Sequence, residues 1–294
     1  MFQQFPSVFI LTSAKMLYNE RMKFYKYIVI IIFLFGIGFE KAFSQSCSEQ
    51  PVRVEHYSME VEELYSELIF DIYIPACIDD RIIGGYPVIY LLHGQDMGIE
   101  IWQEMEMDNV IRDTIRRQDI PLFYTVVPQE NQYLLSLSLS AYDEAILHYL
   151  IPWIDENFNT CTERRCRSIG GLSRGALWAE KIAFENPTIF GSLGMISMPG
   201  TITDDQSMFY LTEKHKPDNL LRIRMDTGSE DNYRHEGSKA ASQLTYVGYP
   251  YEYYIQPGKH DTNYWRDRLS DLFVWFTEED DFSQSAFTIT QTAE

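Results

Sequence analysis

The chain has 294 residues, of which 45% are hydrophobic and 23% charged. That is enough for one large or two small globular domains of ordinary composition. Its formal net charge of -19 at pH 7 argues against nucleic acid or an anionic membrane surface as partner, because such a field repels both.

The N-terminus carries the pattern of an export signal. Met22-Lys23-Phe24-Tyr25-Lys26 is a short basic stretch, Ile28 to Phe39 is an apolar run, and Ala42-Phe43-Ser44 places small residues where a signal peptidase needs them. The apolar run is too short for a comfortable membrane span, so no stable span is expected after cleavage. Residues 1–21 precede the signal without a globular pattern, which makes Met22 a candidate start. The expected location is secreted or periplasmic. A lipid anchor at Cys47 is the weaker alternative, since Ser44-Gln45-Ser46 fits a lipobox poorly, and an uncleaved anchor is a third. Removing residues 1–46 takes away five basic residues against two acidic ones, so the exported part is more acidic than the whole. Acidity of this kind keeps a secreted protein soluble.

All four cysteines, Cys47, Cys77, Cys161 and Cys166, lie in the exported part. An even count in an oxidising compartment predicts disulfides. Four cysteines allow three connectivities; the preferred one has a local Cys161–Cys166 bridge, with Cys47 then paired to Cys77, and free buried thiols are the alternative to any bridge. There is no C-x-x-C pair and no histidine close to these cysteines, so zinc is not expected. Neither a metal nor a cofactor is implied.

In chain order, Val52 to Leu64 and Leu68 to Pro75 read as two strands, the second rich in β-branched and aromatic residues. Pro87 to Leu92 is a continuous apolar run, the mark of a strand covered on both faces, and it ends in His93-Gly94-Gln95. Residues 104–117 have helical spacing with a basic end, Arg116-Arg117. Leu122 to Pro128 is the next buried strand, followed by a polar, serine-rich connection over residues 129–140. Ala141 to Phe158 is an amphipathic helix with an expected kink at Pro152. A short strand, Arg167-Ser168-Ile169, leads into Gly170-Gly171-Leu172-Ser173-Arg174-Gly175 and a helix from Ala176. Ile189 to Met198 is a further strand, and Pro199 to Asn219 an irregular insertion, read as a short helical segment near the mouth of the site. Leu221 to Asp226 is a strand leading to Thr227-Gly228-Ser229-Glu230-Asp231. Asn232 to Gly248 is helical, Tyr251 to Gln256 is a strand ending at Pro257-Gly258-Lys259-His260, and Asp261 to Phe276 is the last helix. The polar tail from Thr277 is expected to be loose.

Strands and helices alternate through most of the chain. This predicts an α/β fold: a mostly parallel central sheet with helices on both faces and an antiparallel N-terminal hairpin. With no internal repeat or Pro/Ser linker, the expected organisation is an extension with signal (1–46), one domain (47–280) and a polar tail (281–294).

Gly171-Leu172-Ser173-Arg174-Gly175 fits G-x-S-x-G, the strand-to-helix turn that exposes a nucleophilic serine on an α/β-hydrolase sheet. A serine hydroxyl is a weak nucleophile and needs a base, an acid that orients the base, and donors for the oxyanion. The order Ser, Asp, His is supplied at strand ends by Ser173, Asp231 and His260. His260 is the preferred base. His148 and His235 lie on predicted helices, His56 on the hairpin and His215 in the insertion, while His93 is placed to brace the loop after its strand. Asp231 is the preferred acid because a residue past the strand end can reach back, with Asp226 and Glu230 as alternatives. The oxyanion donors would be the backbone amides of Gln95 and Arg174.

Tyr86 to Gln95 together with Gly170 to Gly175 resembles the "Putative esterase" family of α/β-hydrolases, which includes feruloyl and acetylxylan esterases, enterochelin esterase, S-formylglutathione hydrolase and mycolyltransferases. Val127 to Glu130, Leu150 to Asp155, and Gly258-Lys259-His260-Asp261 with Trp265 agree with it, so the resemblance covers residues 66–276. It implies a nucleophile at Ser173, a histidine at His260, an acid at Asp231 and oxyanion amides at Gln95 and Arg174. The chain departs from many feruloyl-type members, which have methionine and a second glycine where this chain has Arg174 and Ala176. The implied function is an exported serine esterase acting on a small ester or an acylated carbohydrate of feruloyl or acetyl type. The alternatives are an acyltransferase using the same residues and a non-catalytic carbohydrate-binding relative.

Overall fold

A computed structural model describes residues 49–118, 120–201, 220–278 and 288–291. The expected extension and signal, Cys47, and most of the 199–219 insertion with His215 lie outside the described residues. Nine strands among those described form one sheet: β1 (Arg53–Val61), β2 (Ser66–Ile74), β3 (Val88–Leu92), β4 (Tyr124–Pro128), β5 (Arg167–Leu172), β6 (Ser192–Ile196), β7 (Arg222–Gly228), β8 (Glu252–Gln256) and β9 (Thr288–Gln291). Their spatial order is β1-β2-β4-β3-β5-β6-β7-β8-β9. The β1–β2 hairpin is antiparallel and β2 runs antiparallel to β4, while every other pairing is parallel. The fold is therefore the mostly parallel α/β sheet with an antiparallel start that the alternation predicts.

The strand sequences explain why the sheet is buried. All five residues of Val88-Ile89-Tyr90-Leu91-Leu92 are buried. Successive side chains of a strand point to opposite faces, and Val88, Tyr90 and Leu92 join one apolar core while Ile89 and Leu91 join the other. The first core is covered by three helices. One of them, α3, starts at Tyr142–Glu144, passes through π turns over Ala145–Leu150 and ends as Ile151–Asn157; the others are α4 (Arg174–Glu185) and α5 (Arg234–Val247). The second core is covered by α1 (Glu100–Glu104), α2 (Met107–Gln118) and α6 (Thr262–Thr277). Trp178 fills the first core and Trp102 and Trp265 the second. Burying such side chains contributes about 1.5–3 kcal/mol each.

Three local departures from the sequence pattern have physical reasons. The helix expected over 104–117 begins at Met107, and Glu100–Glu104 forms a separate short helix before it, because Glu106 takes φ 53° between them and a left-handed residue cannot continue a right-handed helix. The kink expected at Pro152 takes the form of wide π turns just before it. Proline lacks the N–H for an i→i−4 bond and its ring crowds the carbonyl four residues back, and a widened turn relieves both. The tail expected to be loose contributes Thr288–Gln291 as a parallel edge strand on β8. Four polar and β-branched residues after a polar stretch were too short a signal for a strand.

Cys161 and Cys166 form a disulfide across the turn before β5. Cys77 is disulfide-bonded too; its expected partner, Cys47, is outside the described residues. No helix among the described residues is long and apolar enough to cross a membrane.

Candidate active site

The parallel strands β3 to β8 all release their chains at the same edge of the sheet, where open α/β sheets hold ligands. The predicted site residues come from these loops. Ser173 follows β5 directly and sits at φ 53°, ψ −123°, a sparsely populated conformation for a residue with a side chain. Its N–H donates to the Ile196 carbonyl at 2.9 Å and its carbonyl accepts from Ala176 N–H at 2.9 Å, so the turn is held at both ends. A Cβ on Gly171 would lie 2.4 Å from the Gly175 carbonyl carbon, and one on Gly175 only 2.0 Å from the Leu92 oxygen. The two glycines are there because no side chain fits between β5, α4 and β3.

His260 and Asp231 arrive on two loops that are stitched together. Ser229 N–H donates to the Gln256 carbonyl at 2.7 Å and Glu230 N–H to the Gly258 carbonyl at 2.9 Å. His260 Nε2 lies 3.0 Å from Ser173 Oγ. Its Nδ1 lies 3.0 Å from Asp231 Oδ2 and 3.2 Å from Oδ1. The imidazole is flanked edge-on by Tyr233, centroids 5.0 Å apart, and by Trp265, 5.1 Å apart. Asp231 is 3% exposed. Burial pushes its carboxyl up, but hydrogen bonds from His260 and from the Tyr233 amide, at 2.7 Å, outweigh burial and hold it below the ordinary carboxylate value.

The alternative acids are engaged elsewhere. Asp226 accepts from the Tyr264 hydroxyl and lies 3.6 Å from Arg224; burial raises its pKa against those partners. Glu230 is paired with exposed Lys259 at 3.8 Å. His148 pairs with Glu144 along its own helix, His56 with Asp71 on the hairpin, and His235 lies on α5.

Arg174 is the first residue of α4, and the opening amides of a helix have no intrahelical acceptor and carry the positive end of its dipole. Gln95 is exposed in the turn after β3, closed by Met97 N–H to the Gly94 carbonyl at 3.3 Å. Both amides thus belong to segments bordering Ser173. His93 is buried; its Nδ1 lies 2.8 Å from the Gly94 carbonyl and its Nε2 accepts from Glu130 N–H at 2.8 Å. Accepting at Nε2 leaves the proton on Nδ1. Burial lowers the His93 pKa, in keeping with this neutral form.

Residues 61–276 match the family model described as "Putative esterase". The chain belongs to this family. A relative from Xylanibacter ruminicola, named endo-1,4-beta-xylanase/feruloyl esterase, is 26% identical over 200 residues. That match takes in 64% of this chain but only 26% of the relative, so the chain corresponds to about a quarter of that larger protein. Among solved structures, a ferulic acid esterase superposes with a TM-score of 0.67 at 19% identity, covering 77% of this chain and 98% of the other. A feruloyl esterase module from Clostridium thermocellum, solved with sinapinate, gives 0.69 at 16% identity, covering 79% and 90%. The S-formylglutathione hydrolase of Staphylococcus aureus gives 0.65 at 14%, covering 77% and 99%. At such identities the likeness is one of fold, and the fold these structures share with the chain is that of the esterase family.

Two features of the site were not anticipated from the sequence. Tyr233 against His260 left no signal beyond an aromatic residue near a predicted acid. The buried pair of Glu130 and Arg174, with Arg174 Nη2 2.7 Å from Glu130 Oε1, joins residues 44 positions apart, and no local spacing reports such a contact.

Proposed function

We propose that the protein is an exported serine esterase working through an acyl-enzyme. The observation that supports it most is the Ser173–His260–Asp231 chain of contacts, 3.0 Å at each link. Ser173 Oγ attacks the ester carbonyl carbon while His260 Nε2 takes its proton. Asp231 holds Nδ1–H and stabilises the imidazolium. The carbonyl oxygen becomes an oxyanion that the amides of Gln95 and Arg174 receive. Collapse of the tetrahedral species breaks the bond to the alcohol, which leaves with the proton from His260. Water then attacks the acyl carbonyl carbon as His260 takes its proton; the bond to Ser173 Oγ breaks, Oγ takes that proton back from His260, and the carboxylic acid is released.

The proposed substrates are small esters or acyl groups on carbohydrate, of feruloyl or acetyl type. The name of the Xylanibacter relative, endo-1,4-beta-xylanase/feruloyl esterase, supports this substrate class. Export is supported by the signal pattern over residues 22–44 and by the disulfide-bonded cysteines.

The test is hydrolysis of p-nitrophenyl acetate, acetylated xylan and feruloylated oligosaccharides by the wild type and by Ser173→Ala. The variant is expected to keep its fold and lose turnover on every ester that the wild type cleaves. Near-native turnover by the variant would contradict the assignment.

A further inference from the structure

We propose that the buried ion pair of Glu130 and Arg174 is a positioning device that sets the two oxyanion amides against Ser173; this rests on the esterase reading above. The pair is two-pronged. Arg174 Nε donates to Glu130 Oε2 at 2.9 Å and Nη2 donates to Oε1 at 2.7 Å. Nη2 also donates to the Leu135 carbonyl at 2.8 Å, and the guanidinium lies 5.9 Å from the Trp178 ring centroid. Glu130 is 1% exposed.

The pair sits in a continuous set of contacts that reaches both amides. Glu130 follows β4 and its N–H donates to His93 Nε2 at 2.8 Å. His93 Nδ1–H then donates to the Gly94 carbonyl at 2.8 Å. That carbonyl belongs to the peptide whose nitrogen is Gln95 N, so the His93 contact fixes the plane in which the Gln95 N–H lies. At the other end the guanidinium anchors the residue that supplies the second amide. The loop after β3, the loop after β4 and the start of α4 are thereby locked by side chains rather than by the sheet.

Stability alone is a poor reason for such a pair. Desolvating two charges offsets most of their attraction, and apolar side chains of similar volume often serve as well. A rigid fork fixing two loops beside a nucleophile does something that packing cannot, because catalysis by oriented donors depends on placement to a fraction of an ångström.

The test compares the full chain with Glu130→Gln, with Arg174→Met and with the double variant, all of which keep the backbone amides. The double variant leaves neither charge buried without its partner and is expected to fold, as judged by circular dichroism. Its kcat for p-nitrophenyl acetate is expected to fall roughly 10- to 100-fold with KM within about twofold. Its affinity for a trifluoromethyl ketone, which forms a tetrahedral adduct on the serine, is expected to fall by a similar factor. Glu130→Gln keeps one oxygen for the guanidinium and is the second variant should the double one misfold, with a kcat loss at the low end of that range. A folded variant with wild-type kcat and ketone affinity, or with a loss confined to KM, would overturn the positioning role. A wild type without turnover that depends on Ser173 would remove the esterase reading and this role with it.

Discussion

Asp231 Oδ2 lies 3.0 Å from His260 Nδ1, while Asp226, earlier on the same β7 segment, accepts from Tyr264 instead. Two aspartates five residues apart thus have separate partners. Asp231→Asn is expected to lower kcat/KM for p-nitrophenyl acetate by about 10³–10⁴-fold through the wrong histidine tautomer. Asp226→Asn should stay within about tenfold of the wild type, since it contacts no reacting group. The reverse ranking would reassign the acid.

The same two aspartates predict opposite effects of pH on stability. Burial raises the Asp226 pKa, so the folded protein holds a proton there at a pH where the unfolded chain, titrating near about 3.9, has lost it. Its contribution is complete below that pH and is lost as pH rises through the folded value. Asp226→Asn should therefore gain stability relative to the wild type between about pH 4 and 7. The Asp231 carboxyl is held low, so its contribution is present above the unfolded value and lost as pH falls. Asp231→Asn should lose stability relative to the wild type as pH rises through the range below the unfolded value, from about pH 2 to 4, and change little above it. Urea unfolding of the three proteins at about pH 2, 4 and 7 checks the two signs and the two windows.

Gly175→Ala tests the turn. Its Cβ would meet the Leu92 oxygen at 2.0 Å and the His93 oxygen at 2.6 Å, both backbone atoms where β3 ends and the loop after it begins. The expected result is a destabilisation of about 3 kcal/mol or more, or failure to fold. A variant with wild-type melting behaviour and activity would contradict the packing described for β3 and α4.

The sheet was legible because buried parallel strands are continuous apolar runs, as in Val88 to Leu92, and because glycines bracket Ser173 for steric reasons. His260 and Asp231 could be placed at strand ends, but their meeting depends on neighbouring strands β7 and β8 and on the bonds between their loops. The Glu130–Arg174 pair was hidden for the same reason, since a charged residue after a strand reads as solvent-facing until the fold covers it. The edge strand Thr288–Gln291 has its partners in β8 and too little pattern of its own.

The Cys161–Cys166 bridge closes a short loop at the end of β5 away from Ser173. Replacing both cysteines by serine is expected to cost about 2 kcal/mol of stability and to leave kcat and KM unchanged. Thermal unfolding and p-nitrophenyl acetate kinetics separate the two effects, and a large drop in kcat in the folded variant would contradict the distance between bridge and site.

The proposed role of Ser173 as nucleophile, activated by His260, is tested by a fluorophosphonate probe followed by intact-mass and peptide mass spectrometry. One adduct per chain is expected, on the peptide holding Ser173, with labelling abolished in Ser173→Ala and strongly slowed in His260→Ala. Labelling at another residue, or undiminished labelling of the Ser173→Ala protein, would contradict it.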